Sequence, residues 1–202
     1  MKKMYTHFTA VILAAGSSRR MGRAKALLEV DGDLFINRIM KDLSASGLKN
    51  IIVVLGEHAA RIETVMPDWI PARKVINPRP DLGQLSSIKL TLKQLDNQTK
   101  GIMIVLVDHP LVTQETYRII LNAAVDDPDR IIIPTYHGRN GHPVYFGKKY
   151  FPDLEKAPMD QGARYVVHNY RSELHTIPVE DEGILKDIDE PADYRKYIRG
   201  DQ

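Results

Sequence analysis

Residues 8–25 read FTAVILAAGSSRRMGRAK. The first six form a β-branched, apolar run that stops at Ala14, Ala15 and Gly16, and residues 17–25 after it show no hydrophobic face. An apolar strand without alternation belongs in a sheet covered on both sides, so this stretch reads as a buried first strand feeding a long loop. Working outward, Phe35, Ile36, Ile39, Met40 and Leu43 recur at helical spacing, and Gly47 stands where a helix would end. Residues 51–55 are again unbroken apolar, 59–65 read as a short helix, and 74–76 as a weak strand ended by Asn77 and Pro78. Residues 85–95 predict a helix, 102–107 a second fully apolar strand, 113–125 a helix opened by Thr113, and 131–133 a strand closed by Pro134. This alternation predicts an α/β fold of three layers, Rossmann-like, with a mostly parallel sheet.

After Pro134 the alternation breaks. Residues 135–141 are polar and read as a loop, 144–146 as a short strand, and helices are expected near 148–154 and 161–170. A strand over 173–179 and a terminal helix with Pro191 in its first turn, ending near Ile198, complete the chain. The expectation is one domain over residues 1–202 whose second half carries a small antiparallel insertion.

Composition narrows the function. The chain has 202 residues, 43% hydrophobic and 27% charged, with 28 Lys plus Arg against 26 Asp plus Glu. That is an ordinary globular composition, and it excludes collagenous and disordered chains. A net charge of +2 does not supply the basic stripe of a dedicated nucleic-acid binder, so no nucleic-acid partner is expected and any anion site must be local. With no Cys, disulfide frameworks, thiolate metal sites and cysteine nucleophiles are excluded. The apolar run near the start is about five residues, shorter than the ~7–15 of a secretory signal. No segment approaches the ~20 apolar residues of a membrane span, so neither a membrane partner nor export is expected, and a cytoplasmic location is.

The loop at 13–25 carries the most chemistry. Small residues directly after a buried strand let backbone N–H groups approach a ligand, and Arg19, Arg20, Arg23 and Lys25 place cations beside them. These are the parts of a polyphosphate cradle; a plain basic surface loop is the competing reading. Five residues separate Gly16 from Gly22 and Ala26 follows the lysine, so this is neither a Walker A loop nor GxGxxG. Its place at the carboxyl end of a strand favours ligand binding. Asp108 ends the second apolar strand and emerges at the same edge; it reads equally as a metal ligand or as a cap for the helix near Thr113. Asp187 and Asp189 would share one face if extended, and would only cap the last helix if in a turn. Residues 83–87, GQLSS, open a helix suited to a base edge or phosphate, although Ser86 and Ser87 are also ordinary first-turn residues. The seven His residues lack zinc-site spacing.

These residues resemble a known family. LAAGSSRRMGRAK is similar to the signature loop of the nucleotidyltransferases with a Rossmann-like, glycosyltransferase-A-type fold, and most of all to the molybdenum cofactor cytidylyltransferase group. The resemblance covers nearly the whole chain: NPRPDLGQLSSIK from Asn77, VDHPLV from Val107, GRNGHPVYF from Gly138, GAR from Gly162 and DIDEPADY from Asp187 follow in the family's order. It implies a nucleotide pocket of Leu13, Ala14, Ala15, Gly16, Arg19, Lys25, Gly83, Ser86 and Ser87. It implies Mg²⁺ on Asp108 and Asp189, with Arg19, Lys25 and Asp108 catalytic. It further implies an acceptor segment at Gly141, His142 and Pro143, although His142 also reads as a buried structural histidine. His109 stands where family members often have Met or Gln.

By the same resemblance the reaction is transfer of a nucleoside monophosphate, CMP from CTP as first choice, to molybdopterin or its Mo-bearing form, with a molybdoenzyme or its chaperone as recipient. The rival readings are a nucleotidyltransferase of the same fold acting on a sugar phosphate or other phosphorylated acceptor, and a non-catalytic module that holds and delivers the cofactor.

Overall fold

The first strand, β1 (Tyr5–Ala14), runs through the middle of an eight-stranded sheet in the structure, a computed structural model that describes residues 5–200. A small hairpin, β2 (Glu29–Val30) and β3 (Asp33–Leu34), leads into α1 (Phe35–Ser46), β4 (Leu48–Leu55), α2 (Ala59–Glu63) and β5 (Arg73–Ile76). Then come α3 (Gln84–Leu92), β6 (Gly101–Leu106), α4 (Gln114–Asp126), β7 (Ile131–Tyr136), β8 (Arg139–Asn140) and β9 (Val144–Gly147). The chain ends with α5 (Phe151–Lys156), α6 (Arg164–Asn169), β10 (Leu174–Pro178) and α7 (Pro191–Tyr194).

The sheet order is β10-β7-β9-β6-β1-β4-β5, with β8 paired to β7. β1 is parallel to both β4 and β6, and β9 runs antiparallel between β6 and β7. The mostly parallel sheet with an antiparallel insertion is therefore present. Register sorts the side chains into two layers. Ala10 and Ile12, beside Val53 and Val105, face Ile36, Ile39 and Met40 of α1 and Tyr117 and Ile120 of α4. Val11 and Leu13, beside Val54 and Ile104, face Leu85 and Ile88 of α3, Leu154 of α5 and Val166 of α6. Each fully buried aliphatic side chain contributes roughly 1.5–3 kcal/mol, which is why the strands tolerate no polar face.

Three local features depart from the sequence expectations. Pro134 does not close β7, which continues to Tyr136. The strand leaves β9 after Ile132 and takes up β8 at Thr135, so the missing N–H falls in the gap between the two ladders, while the Pro134 carbonyl accepts from Gly141 N at 2.9 Å. Consequently residues 135–141 form a hairpin rather than a loop, turned by His137 and Gly138, both at positive φ. The β2–β3 hairpin was not anticipated, although Asp31-Gly32, also both at positive φ, is a strong turn signal. After α7 the chain widens into one π-helical turn, Arg195–Arg199. Among the described residues no helix is long and apolar enough to cross a membrane.

Thr113 caps α4 through Thr116 N, and the segment before it is tied down by a buried carboxylate that the sequence reading did not single out. Asp181 accepts from Thr113 N (2.9 Å), Thr113 Oγ1 (2.9 Å), Thr116 Oγ1 (2.6 Å) and Gly183 N (2.9 Å). Asp181→Ala leaves these donors buried without an acceptor and is expected to destabilise the fold by about 3 kcal/mol, measured by urea unfolding. A loss below ~1 kcal/mol would mean that solvent replaces the carboxylate.

Candidate active site

β1 and β6 lie side by side with Leu13 opposite Leu106, while β4 flanks β1 on the other side, so the chain reverses its direction of progress across the sheet between them. Open α/β sheets bind ligands outside the carboxyl ends of strands at such a point. A cavity of about 440 Å³ opens there. Leu13, Ala14, Ala15, Gly16 and Lys25 line it together with Gly83, Ser87, Asp108 and Asp189. Of the sequence-expected nucleotide residues, Ser86 stands behind the wall: its hydroxyl donates to the Gly83 carbonyl at 2.7 Å and it is buried. Gly83 itself adopts φ 84°, ψ 179°, a conformation essentially reserved to glycine, and so turns the chain sharply into α3. Arg19 begins a 3-10 turn, Arg19–Met21, and its side chain lies outside the described residues.

The centre of the site is one cation between two carboxylates. Lys25 Nζ donates to Asp108 Oδ2 at 2.8 Å and also to Asp189 Oδ1, and Arg20 Nη2 meets Asp189 Oδ2 at 3.0 Å. Three distant pieces of chain are joined here, and each is held by its own device. Ser18, at positive φ, accepts from Lys25 N through its Oγ at 3.0 Å and pins the loop. Asp108 lies two residues beyond the end of β6, and its carbonyl accepts from Ile188 N at 2.8 Å, which ties the tail to the sheet. Ile188 is fully buried with Leu28, Val30 and Phe35, and Tyr194 stacks on Phe35 while its hydroxyl donates to the Glu29 carbonyl at 2.7 Å. This small cluster sets Asp189 opposite Lys25. Asp187 takes no part in the ion pairs. Neither Ser18 nor the hairpin that receives Ile188 figured in the sequence reading.

Electrostatics agree with the geometry. Burial acts to lower the Lys25 ammonium, but the Asp108 charge and the hydrogen bonds to Asp108 and Asp189 outweigh it and hold the group above the ordinary lysine value. The hydrogen bond from Lys25 holds the Asp189 carboxyl below the usual carboxylate range. Asp108 Oδ1 is buried with no hydrogen-bond partner among the described residues. Two carboxylates converging on one cation, one of them with a spare buried oxygen, fit a divalent ion. Among the described residues no group of three or more His, Cys, Asp or Glu is arranged to hold a metal. The fit is thus to a hard ion that takes one or two carboxylates and draws its remaining ligands from water and phosphate, as Mg²⁺ does.

A second cavity of about 530 Å³ adjoins the first and shares Gly83 and Gln84 with it. Ile88, Ile104, Ile133, Val144 and Phe146 form its apolar wall, and Asn140, Gly141, His142 and Arg164 its polar edge. Pro143, joined to His142 by a cis peptide, is buried beside this cavity's strand rather than lining it. The His142 ring packs 5.0 Å from that of His109. Burial, with His109 beside it, pushes the His142 imidazole down to about 4. It is therefore neutral at physiological pH, a hydrogen-bonding group and not a cation.

Residues 10–175 match the family described as the MobA-like NTP transferase domain. The chain belongs to this family. Curated proteins that it resembles include the purine catabolism protein PucB of Bacillus subtilis, 26% identical over 93% of this chain and 94% of that one. The molybdenum cofactor cytidylyltransferase of Escherichia coli is 24% identical over 91% and 92%. Among solved structures, Rv0371c of Mycobacterium tuberculosis superposes with a TM-score of 0.84 at 26% identity, covering 97% of this chain and all of that one. A manganese complex of the same mycobacterial protein superposes at 0.79 with 27% identity, over 96% of this chain and 98% of that one. The chain is accordingly a nucleotidyltransferase of the MobA-like type.

Two outcomes are expected. Lys25→Ala and Asp108→Ala each lower kcat by roughly 10²-fold or more, the scale for removing a preorganised charge partner, as followed by pyrophosphate release. Full turnover by both would remove the site. The second concerns pH. A histidine whose folded value lies below its unfolded value binds fewer protons when folded, so stability falls as pH drops from about 6.5 to about 4. His142→Asn should flatten that part of the pH–stability curve by on the order of 2 kcal/mol, read by denaturant melts at stepped pH. An unchanged slope would mean that His142 is not buried neutral.

Proposed function

We propose that this MobA-like transferase moves CMP from CTP to molybdopterin, or to its Mo-bearing form, with Mg²⁺ and release of pyrophosphate. The observation that carries the reading is the Lys25 ammonium held between Asp108 and Asp189 at the mouth of the β1 loop. A triphosphate is a multiply charged anion, and its transfer chemistry asks the protein mainly for positioning and charge neutralisation. An acceptor phosphate oxygen attacks the α-phosphorus in line, the bond from that phosphorus to the bridging oxygen of the β-phosphate breaks, and pyrophosphate leaves. Lys25 binds the leaving phosphates; the resemblance gives Arg19 the same task. Asp108 and Asp189 would hold Mg²⁺, which when bound supplies Lewis-acid neutralisation of phosphate charge.

The acceptor phosphate is ionised at neutral pH, so no general base is required. Gly141 and His142 belong to the second cavity, whose apolar wall suits a flat ring system better than a polyhydroxylated sugar, and Arg164 at its edge suits an anionic substituent. Preference for CTP rests on the likeness of the AAG loop and the Gly-His-Pro segment to the cytidylyl branch, together with the cytidylyltransferase relative. A molybdoenzyme or its chaperone would receive the product.

Pyrophosphate release should be measured with Mg²⁺ and CTP, GTP or ATP, with and without molybdopterin. The expected result is release dependent on molybdopterin, with CTP favoured at least roughly tenfold over the purine nucleotides. Equal use of all three would remove the nucleotide assignment, and turnover with a sugar phosphate instead would remove the acceptor. Tight molybdopterin binding without any pyrophosphate would replace catalysis by delivery.

A further inference from the structure

The two serines at the start of α3 look interchangeable in sequence, yet their hydrogen-bond inventories differ. Both receive a bond from the same side chain: Asn77 Nδ2 donates to Ser86 Oγ at 2.8 Å and to Ser87 Oγ at 2.9 Å. The orientation of that amide is fixed by chemistry. Asn77 Oδ1 accepts from Arg79 N at 2.8 Å, and a backbone N–H can only donate, so the NH₂ end faces the serines. Asn77 N in turn donates to the Leu55 carbonyl at 2.8 Å, which anchors the residue to the end of β4, and the side chain is buried.

An amide has two N–H groups and both are spent here. Each serine oxygen therefore accepts, and its own hydrogen must point elsewhere. Ser86 gives its hydrogen to the Gly83 carbonyl. Ser87 has no protein acceptor for its hydrogen among the described residues, is only 3% exposed, and lines the nucleotide cavity. A buried hydroxyl left with one donor to place is costly unless a ligand takes it.

We infer that Asn77 is a positioning residue that makes Ser87 a dedicated hydrogen-bond donor toward the nucleobase, so that the pocket favours a base presenting a carbonyl oxygen or an unprotonated ring nitrogen at that wall. The inference rests on the nucleotide reading of the cavity and goes beyond it, because it assigns the polarity of one hydrogen bond and the buried residue that imposes it. Cytosine, with its O2 and N3 acceptors, meets the requirement. Asn77 touches no ligand; it acts by withdrawing the lone-pair side of Ser87 from the cavity.

The test is a double-mutant cycle of Asn77→Asp and Ser87→Ala, read by titration calorimetry with CTP and, separately, with inorganic triphosphate, each in the presence of Mg²⁺. Aspartate at 77 can only accept, so the Ser87 hydrogen turns back to it and lone pairs face the cavity. Each single variant should weaken CTP about tenfold, leave inorganic triphosphate within about twofold, and the double variant should be no worse than either single, as expected for coupled groups. Asn77→Ser, which cannot donate to both hydroxyls, replaces Asn77→Asp in the cycle if the latter does not fold.

Equal weakening of CTP and triphosphate would mean that Asn77 only supports the fold. Wild-type affinity of Ser87→Ala for CTP, or additive losses in the double variant, would overturn the inference. So would a wild-type protein that binds triphosphate as tightly as CTP, while the cavity's triphosphate reading stood. A wild-type protein that binds no triphosphate would remove that reading and the inference with it.

Discussion

The pairing of Lys25 with Asp108 and Asp189 is the constraint around which the rest is arranged. An ammonium and two carboxylates from residues far apart in the chain can meet only if the β1 loop, the end of β6 and the C-terminal segment are all fixed in space. The sheet fixes the second, Ser18 the first, and the Ile188–Tyr194 cluster the third. None of the three groups is fully exposed: the side chains of Lys25 and Asp108 are 13% and 17% accessible. Charges in such a place are held by their partners rather than by water, so the site is preorganised for an anion that brings its own counter-ion.

Beside this charged centre lies the second cavity, with His142 on its polar edge. His142 and His109 lie ring against ring, both lowered by burial, and both leave a buried Nδ1 atom without a partner among the described residues. The contrast divides the cleft into a region dominated by the Lys25 ion pairs and one whose wall is mostly apolar. A single loop, turned by Gly83 into α3, forms the boundary between them.

The central strands β1, β4 and β6 were legible because each holds an unbroken apolar run, and burial on both faces leaves no other composition available. The α1 boundaries followed from its spacing and from Gly47, which does take the left-handed conformation at the helix end. Legibility failed where a residue's role depended on a partner distant in sequence. Pro134 looks like a strand terminator until β8 is placed beside it, and Asp181 looks like an ordinary surface acid until Thr113 and Thr116 arrive. The loop residues Gly16 and Lys25 and the strand-end Asp108 were readable from their position after apolar runs. Which of Asp187 and Asp189 would meet Lys25 was not, because that depends on the burial of Ile188 between them. Ser86 and Ser87, identical in type and adjacent, are separated only by the geometry of one asparagine amide.

The docking of the tail has an effect on timing as well as on shape. A polypeptide emerging from its amino end can lay down β1, β4 and β6 and present Lys25 to Asp108 before residue 189 has been made. Until Ile188 inserts beneath the β2–β3 hairpin, such a nascent chain owns half of its charge balance. The three-way pairing of Lys25 with Asp108 and Asp189 is thus complete only once the C-terminal segment has docked.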